Sequence, residues 1–159
     1  MNEEAKSDLL NKLTYGLYVL TSDSGADHGG MLVTWVMQAS FDPPMVAVAV
    51  QNTAHTTAVM KQSGAFAINF MSDEQRKQAG AFGQEYAKVG DKLAKQAQHP
   101  GAATGSPILD GAIGYLECRI KGWLVGGDHD VALAEIVGAE IAHDAPLMTT
   151  ASSGMSYAG

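Results

Sequence analysis

The chain predicts a mainly β fold with a few short helices, a closed antiparallel barrel of about six strands. Three observations carry this. Segments rich in β-branched and aromatic residues recur along the chain, as in YVLTS, MVAVAV and GAFAINF. Clusters of Gly, Pro, Asp and Ser separate them. Leu116, Cys118 and Ile120 alternate with Glu117, Arg119 and Lys121, the period of a strand with one wet face.

The elements follow in order. Residues 3–13 place Leu9, Leu10 and Leu13 on one side of a short helix, with acidic residues in the first turn where the dipole favours them. A strand begins near Tyr15 and runs to Thr21, and residues 22–30 read as a turn into a second strand that pairs with it as a hairpin. The stretch GGMLVTWVMQASFDPPMVAVAVQNTAHTT, residues 29–57, holds two apolar segments reversed at Asp42-Pro43-Pro44. A short helix begins at Thr56 and Thr57, breaks at Ser63-Gly64, and leads to a strand at residues 65–70. Ser72 and Gln75 have the spacing of a capping box, heading a helix to about Phe82.

Residues 83–107 lack a steady period and read as a long excursion with some helix near 92–98. The strand around Cys118 follows, with Cys118 in the core. Gly126-Gly127-Asp128 forms a turn, residues 131–141 form another strand, and the tail from Pro146 is small and polar.

At 159 residues the chain suits one core, so residues 1–159 are read as a single domain. Hydrophobic residues at 46% and charged residues at only 17% leave apolar surface to cover, which points to a homodimer. Seventeen acidic against 10 basic residues, with no basic cluster, argue against nucleic acid. A single cysteine excludes an internal disulfide, a CxxC pair and a cysteine-built zinc site. The polar, acidic start MNEEAKSDLL and the lack of any run of ~20 apolar residues argue against a signal peptide and a membrane span, so a cytoplasmic protein is expected.

Several chemistries fall away. The five histidines show no metal-ligand spacing, and only His129, between Asp128 and Asp130, has a metal-like setting; a turn histidine bonded to its neighbours is the plainer reading. No GxSxG elbow, GxGxxG or GxxxxGK[ST] is present. Residues 29–57 remain, with Thr34, Trp35, Gln38 and Ser40 on one segment and Asn52, Thr53, His55, Thr56 and Thr57 after the other. Such donors, with two threonines at a helix start, suit a flat phosphorylated ligand, although Thr56 and Thr57 also serve as an ordinary helix cap.

The ordered set YGLYVLTS, the Gly-Met turn, a strand ending in Ser before DPP, VAV leading to NTAHTT, GAFAINF, DKL at 91–93, LEC at 116–118 and GDH at 127–129 resembles the flavin reductase-like, FMN-binding split-barrel family, especially its flavoredoxin-type and ferric-reductase-type members. The resemblance covers nearly the whole chain. It implies a six-stranded antiparallel Greek-key split barrel, a homodimer holding FMN near its interface, and reduction by NADH or NADPH. Electrons would pass to free flavin, a metal complex or a redox protein acceptor. It implies that Thr34, Trp35 and Val36 line the isoalloxazine, that Gln38, Ala39 and Ser40 reach the ring edge and ribityl chain, and that Asn52, Thr53, His55, Thr56 and Thr57 surround the phosphate. Lys92 would supply a cation, and His129, the catalytic candidate, would close the nicotinamide side with Tyr157. Trp35 as core filler and Lys92 as a solvated loop lysine stand as alternatives. So do two other functions, a flavin-binding electron carrier without its own nicotinamide site and a ligand-free structural dimeric barrel.

Overall fold

The structure, a computed structural model, describes residues 1–155. Helix α1 (Glu3–Leu10) is capped by the Asn2 side chain, yet none of its residues is buried, so the leucines on its side serve no core. Strands β1 (Tyr18–Asp23), β2 (His28–Val33), β3 (Val36–Phe41) and β4 (Pro44–Gln51) precede helix α2 (His55–Ser63), which ends on left-handed Gly64. Strand β5 (Ala65–Phe70) leads to the Ser72–Gln75 capping box, which is formed as expected and heads a 3-10 turn before helix α3 (Arg76–Phe82). The one-turn helix α4 (Tyr86–Val89), the small strands β6 (Gln98–Pro100) and β7 (Pro107–Leu109), the long strands β8 (Gly114–Leu124) and β9 (His129–Ile141), and the short helix α5 (Thr150–Ser153) complete the order.

Seven strands form one antiparallel sheet in the order β2-β1-β5-β8-β9-β4-β3, and β6 pairs with β7 separately. The mainly antiparallel β fold with short helices is as the sequence predicts, with one strand more than the count of six. The closed barrel expected from the strand pattern is not formed: the sheet stays open. Its two edges, β2 and β3, are consecutive in the chain and joined only by Thr34 and Trp35, yet they do not pair with one another. Three peptide steps from Val33 to Val36 hold the edges within about 11 Å at that end. The barrel is therefore split at Thr34-Trp35, where the backbone turns from one edge to the other.

Two cores result. Leu20, Phe66, Ile68, Val46, Val48, Val50 and Cys118 pack inside the sheet. Leu17, Val19, Met71, Phe82, Leu93 and Met148 pack on its other face beneath α3 and the following loop. Strand β1 serves both, because alternate side chains point to opposite faces, and so it reads as a continuous buried run. Gly29 and Gly30 stand inside β2, within the segment read as a turn from sequence. They are there for close approach: a Cβ on Gly29 would lie 2.9 Å from the Thr56 hydroxyl, and one on Gly30 2.6 Å from the Phe82 ring.

Three local expectations need correction. The first strand starts at Tyr18, since Tyr15 and Gly16 are occupied in pairing with the segment around Thr149 and Thr150. Residues 92–98 are not helical; the helix lies earlier, at α4, and residues 98–109 form the β6/β7 hairpin. Glu117, placed by alternation on the wet face, is only 2% exposed. A bulge between Glu117 and Cys118 breaks the alternation there. The loop before β7 then covers the carboxylate with donors: the Ala103 amide at 3.1 Å to both oxygens, the Thr104 amide at 2.8 Å and the Thr104 hydroxyl at 2.8 Å. Cys118 is buried as expected, its thiol pushed up to about 12 by burial and by the adjacent carboxylate.

Candidate functional site

A cavity of about 870 Å³ opens at the split. Its walls come from the end of β2 and the Thr34-Trp35 crossing, the end of β4 with the start of α2, and residues 83–87 with Lys92. Antiparallel pairing of β3 with β4 explains this. Val36 lies opposite Val48, so the start of β3 and the end of β4 share one end of the sheet.

Of the residues singled out from sequence, Thr34, Trp35, Thr53, His55, Thr56, Lys92 and His129 come together on this cavity. Val36, Gln38, Ala39 and Ser40 do not line it. Gln38 and Ala39 are exposed, and Ser40 sits five residues along β3 from Trp35, about 17 Å away at the rise of an extended strand. The two segment ends that looked alike in sequence therefore lie at opposite ends of a hairpin. Asn52 is outside the lining as well; its amide donates to the Gly127 carbonyl at 3.1 Å and ties β4 to the turn before β9. Thr57 is fully buried, its hydroxyl donating to the Gln51 carbonyl at 2.8 Å, and it shapes the helix start without facing the cavity. Tyr157 lies outside the described residues.

Among the described residues, one polar atom on the cavity is left without a partner by the fold. Thr34 is 6% exposed, and its hydroxyl oxygen makes no hydrogen bond. Buried hydroxyls are rarely left so, because an unmade bond costs about 1–3 kcal/mol. Nearby, α2 presents its N-terminus from Ala54, which has extended backbone and no capping side chain. Amides there suit an anion, and the Thr56 side chain lies on the cavity beside them. A flat ring on the Thr34-Trp35 wall with a phosphate toward α2 fits this donor set.

The rings and charges around the site are held by specific contacts. Trp35 and His129 pack with centroids 4.7 Å apart at 52°, and the His129 Nδ1 lies 2.8 Å from the Asp128 carboxylate. That hydrogen bond holds the Asp128 carboxyl below its usual range. His55 stacks on Tyr86 at 3.8 Å and 15°, while its Nε2 lies 3.1 Å from the His28 carbonyl and 3.4 Å from Asp27. The Lys92 ammonium donates to the carbonyls of Phe82 and Gln84, each at 2.9 Å, so it tethers the loop after α3 to the cavity wall; burial lowers its pKa. It is neither a free cation nor a solvated lysine.

Two participants were missed from sequence. Tyr86 lies in the stretch read as irregular, where no periodicity singles it out. His28 pairs with Asp91 at 2.9 Å and fastens the loop's far end to β2. The Asp91-Lys92-Leu93 motif marked that end of the loop, but nothing local marked its partner. Among the described residues, no group of three or more His, Cys, Asp or Glu is arranged to hold a metal, and no helix is long and apolar enough to cross a membrane.

Comparison with known proteins fits this geometry. Putative diflavin flavoprotein A 3 of Synechocystis sp. is 33% identical over 135 residues, covering 84% of this chain and 22% of its own. Diflavin flavoprotein A 1 of the same organism is 29% identical over 134 residues, with 84% and 23% covered. The chain thus spans less than a quarter of the length of these two curated relatives. Among solved structures, the NADH:FAD oxidoreductase of Streptomyces globisporus is 27% identical with a TM-score of 0.77, over 84% of this chain and 79% of that one. Nitrilotriacetate monooxygenase component B from Mycobacterium thermoresistibile shares the fold at 22% identity and TM-score 0.83, over 93% and 82%. The profile of the family described as Flavin reductase like domain matches residues 10–156, and so the chain belongs to the flavin reductase-like family.

Proposed function

We propose that the cavity holds FMN and that the protein is an NAD(P)H:flavin oxidoreductase. The observation that carries this reading is the buried, unpartnered Thr34 hydroxyl on a cavity that also reaches the uncapped start of α2. FMN, when bound, supplies a ring that accepts a hydride from a reduced nicotinamide and passes electrons on to free flavin, a metal complex or a redox protein.

The chain's own residues bind, orient and shield. Thr34 gives a hydroxyl to the ring edge, and Trp35 gives an apolar wall. The amides of His55 and Thr56, with Thr53 and the Thr56 hydroxyl, take the phosphate. Lys92 sets a positive charge on the cavity wall, which favours charge building up on a reduced ring. His129, oriented by Asp128 and packed on Trp35, aligns the nicotinamide and moves no proton, since hydride transfer needs none from it. Val36, Gln38, Ala39, Ser40, Asn52 and Thr57 act through the backbone they shape, save where a second subunit brings the exposed β3 edge to a cavity. Exposed Met37, Phe41, Leu124, Val125 and Leu133 on β3, β9 and the β8 end support a homodimer, which sedimentation would test.

The carrier reading draws support from the much longer diflavin relatives, in which a domain like this one is a part. One experiment separates the readings. Purified protein reconstituted with FMN and mixed anaerobically with NADH or NADPH should bleach. A protein that binds FMN but stays oxidised is a carrier, and one that binds no flavin is neither.

A further inference from the structure

Residues 83–92 form a flap over one end of the cavity. Residues 83–89 are all exposed, and the flap's right shape depends on Gly90, whose φ of 70° is one that other residues rarely adopt. Three contacts pin it. Lys92 donates to the Phe82 and Gln84 carbonyls, Asp91 pairs with His28, and Tyr86 lies flat on His55. His55 is the first residue of α2, so the stack stands immediately beyond the helix start.

We infer that Tyr86 is a specificity-determining residue that favours FMN over FAD. The inference rests on the reading that the cavity holds a flavin with its phosphate at α2. FMN ends at that phosphate, whereas FAD continues through a second phosphate to an adenosine. The continuation meets two obstacles. Tyr86 and His55 are 3.8 Å apart, and a purine inserted between them needs about 7 Å, twice a van der Waals contact. Exposed Glu85 lines the cavity beside Tyr86, and Asp27 lies 3.4 Å from His55, so the second phosphate approaches carboxylates where the first meets amides. The single phosphate of FMN stops short of both.

The test is the ratio of dissociation constants for FMN and FAD, measured by quenching of flavin fluorescence in the wild type, Tyr86→Ala and Tyr86→Phe. Tyr86 is exposed and outside both cores, so neither change endangers folding. The wild type should prefer FMN. Tyr86→Ala should narrow the preference about tenfold, equivalent to ~1.4 kcal/mol, by tightening FAD with FMN nearly unchanged. Tyr86→Phe should keep the wild-type ratio, because the stack uses the ring and not the hydroxyl. An unchanged ratio in Tyr86→Ala, or a wild type that binds FAD as tightly as FMN, overturns the inference while leaving the flavin site standing. A wild type that binds neither flavin overturns the site itself.

Discussion

Thr34 and Glu117 are both buried polar residues, and they are treated in opposite ways. Glu117 is enclosed by the loop before β7, with its carboxylate accepting from three donors, and glycines stand at 101 and 138 where a Cβ would crowd it. Thr34 stands at the split between β2 and β3 with nothing bonded to its hydroxyl. A polar group satisfied inside the chain contributes to the fold. One left unsatisfied against a cavity marks where the fold awaits something else.

The largest effect is expected at Glu117. Glu117→Ala leaves the Ala103 and Thr104 donors without their acceptor and should cost about 3 kcal/mol, after relaxation of the loop toward water. For a chain of this size that lowers Tm by roughly 6–12 °C. Calorimetry reads the loss, and FMN affinity of the folded fraction should not change. Equal stability would mean that the loop is not held by the carboxylate.

Thr34→Val should do the reverse. It removes a buried hydroxyl that bonds to nothing, so stability should hold or rise by up to ~1 kcal/mol, while FMN affinity falls about fivefold. Loss of stability with unchanged affinity would reverse the assignment.

The adjacent threonines sharpen the contrast at smaller scale. Thr57→Ala removes the bond to the Gln51 carbonyl and should cost ~1 kcal/mol of stability with little change in affinity. Thr56→Ala should weaken FMN about threefold with little change in stability, and titrations of both variants compare the two directly.

The smallest effect concerns pH. The hydrogen bond to Asp91 raises the His28 pKa above its usual 6.5, against a lowering by burial, with Asp23 and Asp27 adding to the rise. Burial alone would raise Asp91, but the bonds from His28 and the Leu93 amide outweigh it and hold it below 3.8. The contribution of His28 is thus complete below 6.5 and lost as pH rises through its folded value. That of Asp91 is present above 3.8 and lost as pH falls through its own. The flap is fastened best in mildly acidic solution. FMN should leave about two- to threefold faster at about pH 9 than at about pH 6, the modest size following from the exposure of both groups. His28→Ala should flatten that dependence in a stopped-flow release experiment.

Much of the architecture is legible from local pattern. The β4 and β5 runs, the Ser72–Gln75 cap and the Gly64 helix end are written in a few neighbouring residues, and each forms where the pattern places it. The site was legible in part. Thr34, Trp35, His55, Thr56, Lys92 and His129 meet on one cavity, but Gln38 to Ser40 had seemed equally suited and lie at the far end of the hairpin. Donor type can be read from a segment; which end of a hairpin it occupies relative to another segment follows only from register.

Sequence alone determined the strand-rich character, the Ser72–Gln75 cap, the helix end at Gly64, the burial of Cys118 and the resemblance to the flavin reductase-like family, because these depend on residue type and short-range spacing. Tertiary structure decided the rest: the open split at Thr34-Trp35, the burial of Glu117 under a loop 14 residues away in the chain, the Tyr86–His55 stack and the His28–Asp91 fastening. Each of these joins groups distant in sequence, and their meeting is set by how the whole sheet twists, bulges and packs, which no local pattern records.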